Sequence, residues 1–81
     1  METRVAIIGI IVGDANSAPR LNEILHEYGG CIIGRMGLPY RQKGVNIISV
    51  AVDAPEDVIS ALSGKLGHLP GVSVKTAYAK I

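Results

Sequence analysis

At 81 residues, 48% of them hydrophobic with no Phe and no Trp, the chain has the length for one domain (residues 1–81) around one aliphatic core. A net charge of +1 gives no broad attraction for nucleic acid, and a single Cys excludes an internal disulfide and suits a reducing compartment. The longest apolar run, Val5 to Val12, is too short to span a bilayer, and Met1-Glu2-Thr3-Arg4 lacks the basic opening of a secretory signal, so a cytoplasmic protein without membrane contact is expected.

Thr3 to Val12 reads as strand 1. It is continuously apolar rather than alternating, the pattern of a strand buried on both faces. Gly13 to Ser17 is a polar connection in which Asn16 or Ser17 can cap helix 1, with Pro19 in the first turn. Leu21, Ile24, Leu25 and Tyr28 form the i, i+3, i+4, i+7 stripe of an amphipathic helix. Gly29-Gly30 ends it, the second glycine allowing a sharp exit. Strand 2 is Cys31 to Leu38, Pro39 to Gly44 is a loop, and strand 3 is Val45 to Val52. Asp53 and Glu56 have capping-box spacing, with Pro55 in the first turn of helix 2. That helix turns Val58, Ile59, Leu62 and Leu66 inward and stops near Gly67, and Pro70-Gly71 leads into strand 4, Val72 to Ala79.

The order βαββαβ predicts an α+β, ferredoxin-like sandwich: a four-stranded antiparallel sheet, order 4-1-3-2, with two helices on one face. Asp14, Asn16, Ser17, Tyr40, Arg41, Lys43 and His68 then share one rim, while His26, Cys31, Asp53 and Glu56 belong to the opposite end. The other sheet face reads as apolar. Whichever of Val5/Ile7/Ile11 and Ala6/Ile8/Ile10 faces the helices, the other set faces outward, and Ile33 and Ile47 alternate away from Ile32 and Ile48. Ile7, Ile11, Ile33 and Ile47 are therefore the expected interface of a homo-oligomer, a dimer or a tetramer, with edge strands 2 and 4 as a second route.

The seven rim residues are the candidate ligand site, where free amides at the start of helix 1 favour an anion. Turn and capping chemistry is the plainer reading of Asp14, Asn16 and Ser17, and a solvated hairpin tip that of Tyr40, Arg41 and Lys43, with Arg35 adding its positive charge to the same hairpin. His68 near a helix end has its own plain role beside the helix dipole. His26 and Cys31 are metal-ligand types without a supporting pair, better read as a solvated helix residue and a buried thiol. No nucleophile–base pair, catalytic carboxylate pair, GxGxxG or P-loop is present, so no catalytic residue, cofactor or resident metal is expected.

The stretch Gly34-Arg-Met-Gly-Leu-Pro-Tyr-Arg-Gln-Lys-Gly-Val-Asn-Ile-Ile-Ser-Val50 closely resembles the regulator family of the iron-only hydrogenase system. The resemblance spans the chain, is loose over the helices and returns at Leu69-Pro70-Gly71-Val72. The family is similar to ligand-sensing ACT domains and to the C-terminal domain of the nickel-responsive repressor. The resemblance implies a non-enzymatic regulatory role, transcriptional or otherwise, exerted by an ACT-like module that senses a small ligand or docks on a hydrogenase-system protein. Two departures stand out. Asp14 and Pro19 are separated and Arg20 stands where amino-acid-binding ACT domains carry Gly. The strand histidines of the nickel-responsive repressor are missing, so nickel sensing and direct nucleic-acid binding are not implied. The alternatives are a metal-responsive module drawing His26, Cys31 or His68 from more than one subunit, and a purely structural interaction domain.

Overall fold

A computed structural model describes residues 2–80. Four strands, β1 (Arg4–Val12), β2 (Ile32–Tyr40), β3 (Val45–Ala54) and β4 (Val72–Tyr78), form one antiparallel sheet, and two helices, α1 (Ala18–Glu27) and α2 (Glu56–Gly67), complete the βαββαβ order. The strand order is β2-β3-β1-β4, the expected 4-1-3-2 read from the other edge.

The core lies between the helices and one sheet face. The even-numbered residues Ala6, Ile8, Ile10 and Val12 of β1 and Ile48, Val50, Val52 and Ala54 of β3 are buried there. They pack against Leu21, Ile24 and Leu25 of α1 and Ile59, Leu62 and Leu66 of α2, the residues of the two predicted stripes. Val58 and Tyr28 contribute from its margin. Complete burial of an aliphatic side chain is worth about 1.5–3 kcal/mol, and with no Phe or Trp available the fold draws that term from many Ile, Val and Leu.

Strand β1 does not have both faces covered within the chain. Its burial alternates residue by residue, leaving Ile7 and Ile11 about half exposed at 52% and 47%. The continuous apolar run reflects a helix-facing set and an outward set of equal hydrophobicity.

The caps also differ from the expected ones. Asp14, not Asn16 or Ser17, receives the local amide: Asn16 N–H donates to Asp14 Oδ1 at 2.9 Å, opening a 3-10 turn over Ala15–Ser17. The Ser17 hydroxyl instead donates to Pro70 O at 2.6 Å, because the α2–β4 turn passes beside it. Asp53 and Glu56 form no capping box. Asp53 is still in β3, Pro55 takes the cap position, and Glu56 Oε1 accepts from Arg4 Nη1 at 2.6 Å. Gly29 and Gly30 leave α1 through a 3-10 turn without a left-handed residue, for among the described residues positive φ occurs only at Gly44 and Gly71. Cys31 closes that turn, its thiol donating to Tyr28 O at 3.2 Å. The β2–β3 loop is shorter than expected: β2 runs on through Pro39 and Tyr40, and a 3-10 turn over Arg41–Lys43 with Gly44 at φ 65 makes the reversal. Pro39 is tolerated because β2 is an edge strand.

Candidate functional site

The seven predicted rim residues lie at one end of the sheet but form two separate groups. Asp14, Asn16 and Ser17 are built into a clasp with the turn before β4. Gly13 N–H donates to Gly71 O at 2.7 Å, and Ser17, buried at 5% exposure, holds Pro70 O. A Cβ on Gly71 would stand 2.7 Å from Asp14 Cβ, and its φ of 71 is left-handed, so glycine is required there. His68 follows α2 as its C-cap, its N–H donating to Gly64 O at 3.1 Å. Arg41 and Lys43 sit exposed at the β2–β3 tip, and Tyr40 donates to Gln42 Oε1 at 2.6 Å. The clefts of the molecule described below are lined by none of these seven residues.

At the opposite end, His26 is exposed on α1, and Cys31 is half-buried rather than buried, because the turn that follows α1 runs at the margin of the core. Among the described residues no three of His, Cys, Asp and Glu converge as a metal site.

The largest feature is the sheet face turned away from the helices. Among the described residues, the eight exposed large hydrophobic side chains lie on or beside it: Val5, Ile7 and Ile11 of β1, Ile47 of β3, and Ile33, Met36, Leu38 and Tyr40 of β2. The register arranges them in rows. Leu38, Ile47, Ile11 and Ser73 form one row; Met36, Ser49, Gly9 and Lys75 the next; Gly34, Ala51, Ile7 and Ala77 the third. Ser49 and Gly9 give the middle row a low centre between aliphatic ridges. A shallow, almost wholly apolar depression of about 340 Å³ lies there, bounded by Ile11 and Ile47. Ile7, Ile11, Ile33 and Ile47 are all exposed on this side, as the alternation predicts.

Met36 and Leu38 escaped the sequence reading, and Tyr40 entered it only as a rim residue, because the face they occupy depends on a bulge. Ile32 pairs with Val52, but Gly34, not Ile33, pairs with Ala51, so Ile33 is an extra residue. In an unbroken ladder Met36 would oppose Ile48 and face the helices. The bulge shifts the phase by one, placing Met36, Leu38 and Tyr40 on the open face and Arg35, Gly37 and Pro39 on the helix side. The legible signal was Gly34, an isolated glycine inside a strand pattern.

On the helix side the same shift leaves a groove between α1 and β2. Its upper part, about 270 Å³, has Val12, Leu21 and Ile48 as apolar wall and Asn46 at one end. A lower part, about 340 Å³, runs toward His26 and Ile32. Arg35 and Asn22 line both parts, with Arg35 Nη2 donating to Asn22 Oδ1 at 3.2 Å.

This fold is matched by the solved structure of uncharacterized protein TM1266 from Thermotoga maritima, with a TM-score of 0.93 and 39% identity over 98% of this chain and 100% of that one. No curated protein matches the chain. The family model described as "TM1266-like: Iron-only hydrogenase system regulator, putative" matches residues 4–76, from the start of β1 into β4. With the family model matching nearly the full length and the fold in agreement, the chain belongs to this TM1266-like family of iron-only hydrogenase system regulators.

Proposed function

We propose that the chain is a non-enzymatic regulatory module of an iron-only hydrogenase system, a cytoplasmic ACT-like domain that works as a homo-oligomer and senses a small ligand or docks on a protein of that system. The family description supports the regulatory role. The observation that carries the oligomer is the open sheet face with its eight exposed apolar side chains. Side chains already half covered gain about half of the ~1.5–3 kcal/mol of full burial. Eight of them together therefore reach about 6–12 kcal/mol, the order of the ~4–15 kcal/mol that association costs. Gain and cost are of the same size, so the fit of the two faces sets the affinity, and linked subunits couple ligand capture in one to a change of surface in the other.

Light scattering on a size-exclusion column tests this directly. Wild-type protein is expected as a dimer or larger at micromolar concentration, and Ile11→Asp with Ile47→Asp as a folded monomer. Ile11 and Ile47 are direct cross-strand partners on the open face, so the two charges fall at the centre of the contact. A wild-type monomer would remove the basis of the reading.

A further inference from the structure

We propose that the groove between α1 and β2 is a binding site for a small organic carboxylate with an aliphatic body, its carboxylate held by the Arg35 guanidinium. This deepens the sensing half of the proposed function and rests on it. The site differs from the rim to which the sequence pointed.

Charge gives the sign of the ligand. No Asp or Glu lines either part of the groove. Arg35 sits where the two parts meet, and His26 closes the lower one. Arg4 is paired with Glu56 at 2.6 Å and Arg20 with Glu23 at 3.4 Å. Arg35 has no carboxylate partner among the described residues, only the neutral oxygen of Asn22. Arg41 also lacks one, but it lines neither part. A guanidinium offers two parallel donors to a carboxylate, and the second donor pair here is free for that geometry.

Shape and lining give the rest. Ala18, Pro39 and the edge of Ile48 give the groove an aliphatic side next to Arg35, floored by the buried Val12 and Leu21, and Asn46 lies at the far end. A volume near 270 Å³ is at the low end for ligand pockets, suited to a small acid rather than a nucleotide. One guanidinium without a cluster of backbone amides suits a monoanion better than a phosphate. The bulge at Ile33 supplies the positioning: it sets Arg35 opposite Val50, on the helix side of the ladder. Bulges commonly re-aim a side chain beside a functional site.

The test uses the isotope-labelled full chain and amide chemical shifts. The probes are 4-methylpentanoate, its uncharged isostere 4-methylpentanamide, and inorganic phosphate. Each is titrated to about 20 mM, several-fold above the millimolar Kd expected of so small a ligand. The acid is expected to shift the amides of Asn22, Arg35 and Gly37, with the amide isostere and phosphate binding at least about tenfold more weakly, as loss of a charge-assisted bond requires. Arg35→Gln is expected to weaken the acid by a similar factor. Gly37→Val is expected to fill the groove and abolish binding, and its fold should persist, because a Cβ at Gly37 meets nothing within 4 Å. Absence of shifts with the acid, equal shifts in Arg35→Gln, or phosphate binding as tightly as the acid would each overturn the assignment. Arg35→Gln keeps every exposed apolar side chain of the open sheet face, so light scattering on the same samples separates failure of the groove from failure of the oligomer.

Discussion

The two edge strands of the sheet are built in opposite senses. In β4 the apolar residues Val72, Val74 and Tyr78 face inward beneath α2, while Ser73, Lys75 and Ala77 face out. Ser63 of α2 and Thr76 of β4 add a hydroxyl contact at 2.8 Å. In β2 the arrangement is inverted. Beyond the bulge, Met36 and Leu38 face out at 70% and 60% exposure, and Arg35, Gly37 and Pro39 face a helix that does not cover them. An edge that serves the fold buries its apolar set and shows water its polar one. An edge that reverses this gives up that stabilisation inside the chain and leaves its apolar set available to something outside it.

The sharpest way to break this contrast is to charge each apolar set. Val74→Asp on β4 should cost about 3 kcal/mol or more, because the side chain loses its burial and a carboxylate is desolvated. Leu38→Asp on β2 should leave monomer stability within about 0.5 kcal/mol of wild type, as for exposed sites generally, while weakening self-association. Urea denaturation of dilute protein reads the first effect and light scattering the second. Equal destabilisation by the two variants would show that β2 is structural like β4.

Deleting Gly34 tests the register itself. With one residue fewer, Ile33 takes the place opposite Ala51 while Arg35 keeps Val50 and Met36 keeps Ser49, so Met36 and Leu38 should stay on the open face, without methyl contacts to Leu21 in nuclear Overhauser spectra, and self-association should persist. Contacts between Met36 and Leu21 would show that β2 had instead slipped its pairing by one residue. The smallest effects sharpen the comparison at single hydrogen bonds. Ser63→Ala should cost about 1 kcal/mol by removing the part-buried contact with Thr76. Asn22→Ala removes only an exposed contact with Arg35 and should cost close to nothing, both checked by the shift in urea midpoint.

The core was legible because its signals are local. The stripe Leu21, Ile24, Leu25 in α1 and Ile59, Leu62, Leu66 in α2 follows from helical periodicity, and these six side chains are buried. Ile7 and Ile47 were readable as outward because β1 and β3 alternate without interruption. The rim was legible only as an end of the sheet. Asp14 and Ser17 could have been ligand donors by type, but the Pro70-Gly71 turn engages them, and nothing near them in sequence announces that partner. Arg35 looked like one more charge on a hairpin until its face was known.

What the amino-acid order determined was the succession of strands and helices, the aliphatic core and, through the βαββαβ plan, the strand order. Those follow from periodicities that each segment carries alone. Which way β2 faces, where the caps fall and which arginine lines the groove beside α1 were decided by the tertiary structure. A bulge exists only as a mismatch between two paired strands, and a hydroxyl chooses its acceptor from whatever the folded chain brings within about 3 Å.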